Sequence, residues 1–276
     1  MSSIERLFSR LTENGQAAYI PYVCAGDPNR DFTLQLIGKL AEAGADIIEL
    51  GLPFSDPIAD GSAIQRAMCR SLSAGLRVAH VFEIIEDVRK LGIDCPIVLM
   101  SYLNPILRFG AEEFCRRLVG SGGDGLLVVD MPIEESESLC AVAKNLGLDL
   151  IQLIAPSSDD ERIKRILSCA TGFVYLVSVA GTTGAREKLS ESALAMVRSI
   201  SPISRLPLVL GFGISSPQHV REAVLAGASG IVEGSKLISI YEEDGMDPNR
   251  SLEKIATHVR EMKSAIPFKN SMIPHS

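Results

Sequence analysis

The chain is poor in the features that mark several protein classes. It has no tryptophan and only four histidines, and its six cysteines include no C-x-x-C pair. No basic block runs along it, and 27 basic against 34 acidic residues give a formal charge of −7, which disfavours binding to a nucleic-acid backbone. No apolar run approaches the roughly 18 residues that a membrane span requires. The sequence therefore predicts neither a nucleic-acid-binding protein nor a membrane protein.

Cysteine and histidine are placed as packing or surface residues rather than as metal ligands. All the cysteines lie in apolar strand or helix patterns, which is typical of reduced core thiols. They are Cys24, Cys69, Cys95, Cys115, Cys140 and Cys169. Histidines 80, 219 and 258 lie on separate helical patterns, so we expect no metal site. Because the N-terminus, MSSIERLFSRL, resembles neither a signal peptide nor a transit peptide, we expect a cytoplasmic protein.

Apolar residues, in contrast, make up 46% of the 276 residues, which is enough for a large core. After an opening helix over 2–14, short apolar runs alternate with helical patterns. The predicted strands are 17–25, 46–50, 96–103, 125–130, 149–155, 172–179, 207–214 and 230–234. The predicted helices are 31–44, 62–73, 78–91, 106–119, 134–146, 159–168, 190–201, 217–225, a short one from 235, and 249–265.

Several helices close with glycine and lead directly into an apolar strand, as in EAGADIIELG, GSGGDGLLVVD and LAGASGIVEG. Continuously apolar strands after glycine caps are typical of a parallel sheet covered by helices. Eight strand-helix units in about 250 residues fit a (β/α)8 TIM barrel better than a doubly wound sheet. We predict a single α/β domain over 1–266, with an extra N-terminal helix, an extra helix after strand 8, and a loose tail over 267–276.

The stretch IIELGLPFSDPIADG, 47–61, places acids at the end of the second predicted strand. Glu49 lies inside an apolar run, where a carboxylate is costly to bury unless it is paired or protonated. Either outcome moves its pKa away from the solvent value, which makes Glu49 a candidate for proton transfer. The alternative is an ion pair between Glu49 and a neighbouring basic residue.

Two more acids, Asp56 and Asp60, follow in the loop after this strand, so we expect three carboxylates near one strand end. Pro53 and Pro57 interrupt regular structure in this loop. Asp60 could instead cap the helix that begins near Ser62, and Asp56 could stabilise its turn.

In a barrel of this kind the active site forms where the strands end and lead into the helices. Aromatic residues are scarce, at 5%, yet four stand at predicted strand ends. They are Tyr22, Tyr102, Tyr175 and Phe212. Their shared position predicts the walls of a pocket for a flat apolar ligand, and packing of the barrel mouth is the alternative.

Glycines end the last two predicted strands, as GFG at 211–213 and EGS at 233–235. Barrels often bind a phosphate on backbone N–H groups at these two loops, at the start of a short extra helix. Simple turn glycines are the alternative. Taken together, the two motifs predict a phosphate ester with an apolar portion as the ligand.

The motif ELGLPFSDPIADG at 49–61 resembles the signature of the tryptophan synthase alpha chain family. Other motifs similar to that family follow in the same order over nearly the whole chain. They are IPY at 20–22, AGDP at 25–28, YLNP at 102–105, Asp130 with Pro132, Tyr175, GTTG at 181–184, GFGI at 211–214 and GS at 234–235.

The resemblance implies a lyase that cleaves indole-3-glycerol phosphate to indole and glyceraldehyde 3-phosphate by a retro-aldol reaction. Glu49 would be the acid and base that moves the protons. Asp60 would accept the indole N–H and stabilise positive charge on the ring. The loops around Asp56 and Thr183 would close over the substrate.

The same resemblance implies the substrate-binding residues and the partner. The indole pocket would be lined by Tyr22, Tyr102, Tyr175 and Phe212. The phosphate would be held by Gly184, Gly213, Gly234 and Ser235. The alpha chain would need no cofactor of its own, and it would pass indole through a tunnel to a beta chain that uses pyridoxal phosphate. We therefore expect an alpha2beta2 tetramer.

At four positions the chain departs from the family's commonest residue. Tyr22 stands where phenylalanine is frequent, Ser62 where proline is frequent, Thr182 where an aliphatic residue is frequent and Lys236 where a small residue is expected. None of these removes a catalytic group, so they bear on rate rather than on the reaction. Lys236 could reach the phosphate or face solvent.

Three other functions remain open on the sequence alone. A stand-alone indole-3-glycerol phosphate lyase would release free indole. A phosphosugar isomerase or epimerase on the same barrel would not need the aromatic walls. A non-catalytic barrel would only activate a partner.

Overall fold

The computed structural model describes residues 1–177, 189–211 and 213–268. Within these residues, parallel strands close into a barrel in which each strand pairs with its neighbours along the chain and β8 pairs with β1. The strands are β1 Ala18–Cys24, β2 Ile48–Gly51, β3 Ile97–Ser101, β4 Gly125–Val128, β5 Asp149–Ile154, β6 Val174–Val177, β7 Leu208–Gly211 and β8 Gly230–Glu233. This confirms the predicted single-domain (β/α)8 barrel.

Helices surround the barrel in the part of the chain described. They are α1 Ser3–Glu13, α2 Arg30–Glu42, α3 Ser62–Ser73, α4 Val78–Lys90, α5 Leu103–Phe109, α6 Ala111–Gly120, α7 Glu137–Leu146, α8 Asp160–Cys169, α9 Glu191–Ile200, α10 Pro217–Leu225, α11 Ser235–Glu243 and α12 Pro248–Ser264. The predicted extra helices are thus present as α1, before the first strand, and α11, directly after β8.

The N-terminal end of the barrel is closed by α1. Ser2 caps this helix in a capping box with Glu5, as the sequence predicts. Ile4 is fully buried, and its side chain lies 3.2 Å from where a Cβ on Gly125 would stand, inside the barrel. With this end plugged by apolar side chains, the opposite end is where a ligand can enter.

Two predicted helices have a different form. The helix expected over 106–119 is two helices, α5 and α6, because Gly110 between them has a positive φ of 95°, which breaks the helix. The helix expected over 134–146 begins with a 3-10 turn, Ile133–Glu135, and continues as α7. The prediction that all cysteines are core residues is wrong for Cys69, which is exposed on α3, whereas Cys24 and Cys115 are buried.

Side chains alternate between the inside of the barrel and the layer between strands and helices. Tyr22 of β1 pairs with Glu49 of β2, and Glu49 with Val98 of β3, so these three side chains share the inner face. Tyr19 of β1 and Glu233 of β8 lie on the outer face, towards α12. This alternation decides which polar side chains line the mouth.

No helix in the described ranges is long and apolar enough to cross a membrane. Most of the predicted loop 180–189 and residues 269–276 of the predicted tail lie outside the described residues. The boundary at 266 therefore stays a prediction.

Candidate active site

Glu49 lies on β2 and faces the inside of the barrel mouth. Its side chain is buried, and its Oε2 atom has no hydrogen-bond partner. Burial, with a further contribution from the charge of Asp60, raises the pKa of Glu49 to about 8. No described basic residue forms an ion pair with it, so the structure does not support the alternative of a structural ion pair.

Asp60 stands in the loop between β2 and α3 and is half-buried. Its Oδ2 atom accepts a hydrogen bond of 2.6 Å from the Tyr102 hydroxyl. Burial raises the pKa of Asp60 to about 6, and the hydrogen bond from Tyr102 partly opposes this shift. Asp60 does not cap α3, because Gly61 occupies the N-cap position and no side chain caps that end. The capping alternative is therefore wrong.

The two carboxyl groups differ in proton affinity although they lie close enough to influence each other. With pKa values of about 8 for Glu49 and about 6 for Asp60, one is protonated and the other ionised near neutral pH. Environments that separate two titratable groups in this way are typical of acid-base sites. The mouth can therefore donate a proton at one position and hold a negative charge at the other.

The third acid of the predicted group, Asp56, lies apart from this pair. It is exposed, its carboxylate accepts a 2.5 Å hydrogen bond from the Ser55 hydroxyl, and its carbonyl accepts the N–H of Ile58. The contacts fit the turn-stabilising alternative for Asp56. The predicted convergence of three carboxylates thus reduces to two.

The Tyr102 hydroxyl holds the loop that carries Asp60. Besides bonding Asp60, its hydroxyl accepts the N–H of Ala59 at 3.0 Å, and its ring packs against Phe54 at 5.0 Å between centroids. Asp130, at the end of β4, accepts the N–H of Leu103 at 2.7 Å and so fixes the chain next to Tyr102. This positioning role could not be predicted from the sequence, because motif spacing does not show which loop a tyrosine hydroxyl reaches.

The other two tyrosines predicted to form the pocket walls lie across glycines of neighbouring strands. The ring of Tyr22 covers Gly51 of β2, and that of Tyr175 covers Gly211 of β7, so that a Cβ at either glycine would collide with the tyrosine. Burial, then the charges of Glu49 and Asp60, raise the pKa of Tyr175. Both tyrosines therefore lie near the two carboxyl groups, and their role as walls of a pocket for a flat apolar ligand stays a prediction.

The N-terminus of α11 opens towards the same end of the barrel. Gly234 is its N-cap and provides no side-chain cap, so the first N–H groups of the helix are available to an anion. Ser235 is exposed, and its Oγ lies 4.0 Å from where a Cβ on Gly61 would stand. Gly213 has a positive φ of 79° in the loop after β7. The phosphate end of the predicted site thus adjoins the loop of Asp60.

A buried ion pair behind the mouth connects α3, which follows the loop of Asp60, with α11, which begins at the predicted phosphate site. Arg70 of α3 binds both carboxylate oxygens of Asp27, at 2.7 and 2.8 Å, and Glu242 of α11 at 2.5 Å. The Tyr241 hydroxyl donates to Asp27 as well. This network was not predicted from the sequence either, and the nearest signal to it is the AGDP motif at 25–28.

Some predicted site residues lie outside the described residues. They are Thr183 and Gly184 in the loop after β6, and Phe212 after β7. Thr182, one of the departures from the family pattern, lies outside as well, and all four stay predictions. Within the described ranges, no three residues among histidine, cysteine, aspartate and glutamate are grouped so that they could hold a metal ion.

Comparisons with known proteins identify the family of this chain. A sequence model of the family described as Tryptophan synthase alpha chain matches residues 8–267. The tryptophan synthase alpha chain of Carboxydothermus hydrogenoformans is 43% identical over 267 residues, which cover 96% of this chain and 99% of that protein.

Solved structures agree as well. Tryptophan synthase subunit alpha from Legionella pneumophila superimposes with a TM-score of 0.88 at 33% identity, covering 99% of this chain and 100% of that chain. A chain of the tryptophan synthase a2b2 complex from Pyrococcus furiosus gives a TM-score of 0.84 at 41% identity, covering 91% and 98%. Sequence model, relatives and structures all span nearly the full length, and the chain therefore belongs to the tryptophan synthase alpha chain family.

Proposed function

We propose that this enzyme subunit cleaves indole-3-glycerol phosphate to indole and glyceraldehyde 3-phosphate. The observation that carries the proposal is the pair of carboxyl groups in the apolar mouth, protonated Glu49 and ionised Asp60 near neutral pH. A retro-aldol cleavage of this substrate needs an acid at one ring position and a negative charge at another. The pair supplies both between aromatic walls.

The reaction would use these groups in two stages. Glu49 first donates its proton to indole C3, while ionised Asp60 accepts the ring N–H and stabilises the positive charge that results. The ionised Glu49 then removes the proton of the glycerol hydroxyl next to the ring. The carbon-carbon bond breaks, its electron pair returns to the ring to form indole, and the hydroxyl oxygen becomes the aldehyde oxygen. Protons and electrons balance without a cofactor, so we propose none for this chain.

Binding would divide between the two ends of the substrate. The free N–H groups at the start of α11, with Gly213, Gly234 and Ser235, would hold the phosphate. Tyr22 and Tyr175 would flank the indole ring, and Tyr102 would fix Asp60 beside it. Thr183, Gly184 and Phe212 keep their predicted roles in loop closure, phosphate binding and the indole pocket. Residues 1–266 would form this catalytic domain, followed by the tail 267–276.

We also propose a partner. The Pyrococcus furiosus relative is described as an a2b2 complex, and this chain would assemble in the same way with a beta chain. Following the family resemblance, that partner would hold pyridoxal phosphate and receive indole from this chain. All six cysteines are free thiols, which supports our proposal of a cytoplasmic location.

The test is a steady-state assay with indole-3-glycerol phosphate, run on the chain alone and then with a beta chain. Turnover in both, with co-purification of the two chains, is the expected result. We expect Glu49→Gln to lower kcat by at least ~10²-fold while its melting temperature stays at or above that of the wild type, since a general acid-base is lost and a costly buried acid removed.

The alternatives give different results in the same assay. Turnover that is indifferent to a beta chain would indicate a stand-alone lyase, and no turnover of the isolated chain would indicate a barrel that only activates its partner. Activity on ribulose 5-phosphate instead would indicate a phosphosugar isomerase or epimerase. Near-normal turnover of Glu49→Gln would contradict the proposed mechanism.

A further inference from the structure

Unpartnered buried polar atoms are few in the described ranges, and two of them belong to residues paired across neighbouring strands. The side-chain atoms concerned are Tyr22 Oη, Glu49 Oε2, Asp149 Oδ2, His219 Nε2 and Asp244 Oδ2. Tyr22 and Glu49 are direct partners in the β1-β2 register, on the inner face of the barrel, whereas the other three lie on separate elements. A buried hydroxyl without a partner is costly, so its retention indicates a ligand.

The Tyr22 hydroxyl is aimed at the mouth. Its ring runs along the strand direction, and the hydroxyl lies beside Gly51, two residues beyond Glu49 on β2. Gly51 leaves the space that the hydroxyl occupies. An oxygen atom of a ligand entering the mouth would therefore meet the Tyr22 hydroxyl and the free oxygen of Glu49 together.

A second tyrosine on the same strand shows what a structural hydroxyl looks like here. Tyr19 is as deeply buried as Tyr22, but it lies on the outer face, where its hydroxyl donates to the carboxylate of Glu233. A phenylalanine at position 22 would fill nearly the same volume without a buried hydroxyl. The group beside the Tyr22 hydroxyl on its own strand is the Cys24 thiol, which is only a weak hydrogen-bonding group, so packing alone does not explain this hydroxyl.

We propose that the Tyr22 hydroxyl donates a hydrogen bond to the substrate oxygen whose proton Glu49 removes. This inference rests on the proposed function. As that proton passes to Glu49 and the carbon-carbon bond breaks, negative charge develops on the oxygen before it becomes the aldehyde oxygen. A donor already in place stabilises that charge, and Tyr22 keeps its own proton throughout.

The test compares the wild type, Tyr22→Phe and the control Tyr19→Phe with indole-3-glycerol phosphate, each with its beta chain. We expect Tyr22→Phe to lower kcat about 10-fold with KM within about twofold, because the bond strengthens as charge develops. Its melting temperature should not fall, since an unpaired buried hydroxyl is removed. Tyr19→Phe should do the reverse, with a lower melting temperature and kcat within about twofold.

A substrate analogue in which hydrogen replaces the ring-adjacent hydroxyl separates hydrogen bonding from packing. It should inhibit the wild type and Tyr22→Phe with equal inhibition constants. Suppose that the wild type turns over the substrate. An unchanged kcat in Tyr22→Phe, or weaker binding of the analogue to that variant, would then overturn this inference alone. A wild type without turnover would overturn it together with the proposed function.

Discussion

The buried polar groups between strands and helices differ from those in the barrel mouth in the partners that they have. Between strands and helices, four buried or partly buried acids are paired with cations or hydrogen-bond donors. The pairs are Asp27 with Arg70, Asp46 with Lys263, Asp124 with Arg89, and Glu233 with His258 and Tyr19. In the mouth, the free oxygen of Glu49 has no partner, and the hydroxyl of Tyr22 has only the weakly hydrogen-bonding thiol of Cys24 beside it.

The paired acids stabilise the fold, whereas the unpartnered groups in the mouth are available to a ligand. A paired buried acid ties two elements together. An unpaired one costs free energy and retains its proton, as the raised pKa of Glu49 shows. Local rules of polar satisfaction are usually broken at functional sites, and two of the unpartnered groups of the described residues lie together on the inner face of β1 and β2.

Breaking a pair outside the mouth should cost the most stability. Arg70→Met would leave the fully buried carboxylate of Asp27 without its cation, and we expect the free energy of unfolding to fall by ~3 kcal/mol or more. Denaturant unfolding measures this. Arg66→Met is the matched control, because Arg66 is exposed and also pairs with Glu242, and it should cost less than ~1 kcal/mol. Equal losses in the two variants would contradict the comparison.

Removing the charge of Asp60 should affect the reaction far more than the fold. We expect Asp60→Asn to lower kcat by ~10²-fold with modestly altered substrate binding, since an amide cannot stabilise the positive ring as a carboxylate does. Asp94→Asn, an exposed acid before β3, is the control and should stay within about twofold of the wild type. An unchanged kcat in Asp60→Asn would remove Asp60 from the mechanism.

The pH dependence of kcat/KM should reveal both carboxyl groups. Asp60 must be ionised, so the rate should fall tenfold per unit as pH drops below about 6. Glu49 must begin protonated, so the rate should fall tenfold per unit as pH rises above about 8. Because the two groups interact, these limbs belong to the pair. A rate that is flat from pH 5 to 9 would contradict the assignment.

Removing the hydrogen bond from Tyr102 to Asp60 should have the smallest effect on kcat. Tyr102→Phe removes the hydrogen bond that lowers the pKa of Asp60 and leaves the N–H of Ala59 without its acceptor. We expect kcat to fall about fivefold and the acidic limb to move to higher pH. The pH profile checks this, and an acidic limb that stays in place would show that Tyr102 only packs.

Local signals in the sequence predicted much of the fold. Glycine and proline mark the ends of most elements, and the bounds of α3, 62–73, and α10, 217–225, agree with the prediction. The break at Gly110 was missed, because a glycine within a helical pattern can be either tolerated or disruptive. Glu49 followed from an acid in an apolar strand, a signal that needs no tertiary information.

Contacts between distant residues could not be read in the same way. The hydroxyl of Tyr102 reaches Asp60 across 42 residues, and Arg70 reaches Asp27 across 43. Both depend on how loops and helices meet after the barrel closes. The unpaired state of Tyr22 is likewise a property of the closed barrel, since the sequence shows only an aromatic residue at a strand end.

The most direct test is a titration of the Glu49 carboxyl group in the ligand-free protein. Carbon-13 NMR of protein labelled at the glutamate side-chain carboxyls, with Glu49→Gln used to assign the signal, would follow its protonation from pH 4 to 10. We predict a midpoint of about 8. A midpoint near the ordinary value of 4.5 would mean that the mouth holds an ionised carboxylate at neutral pH, and would contradict the account.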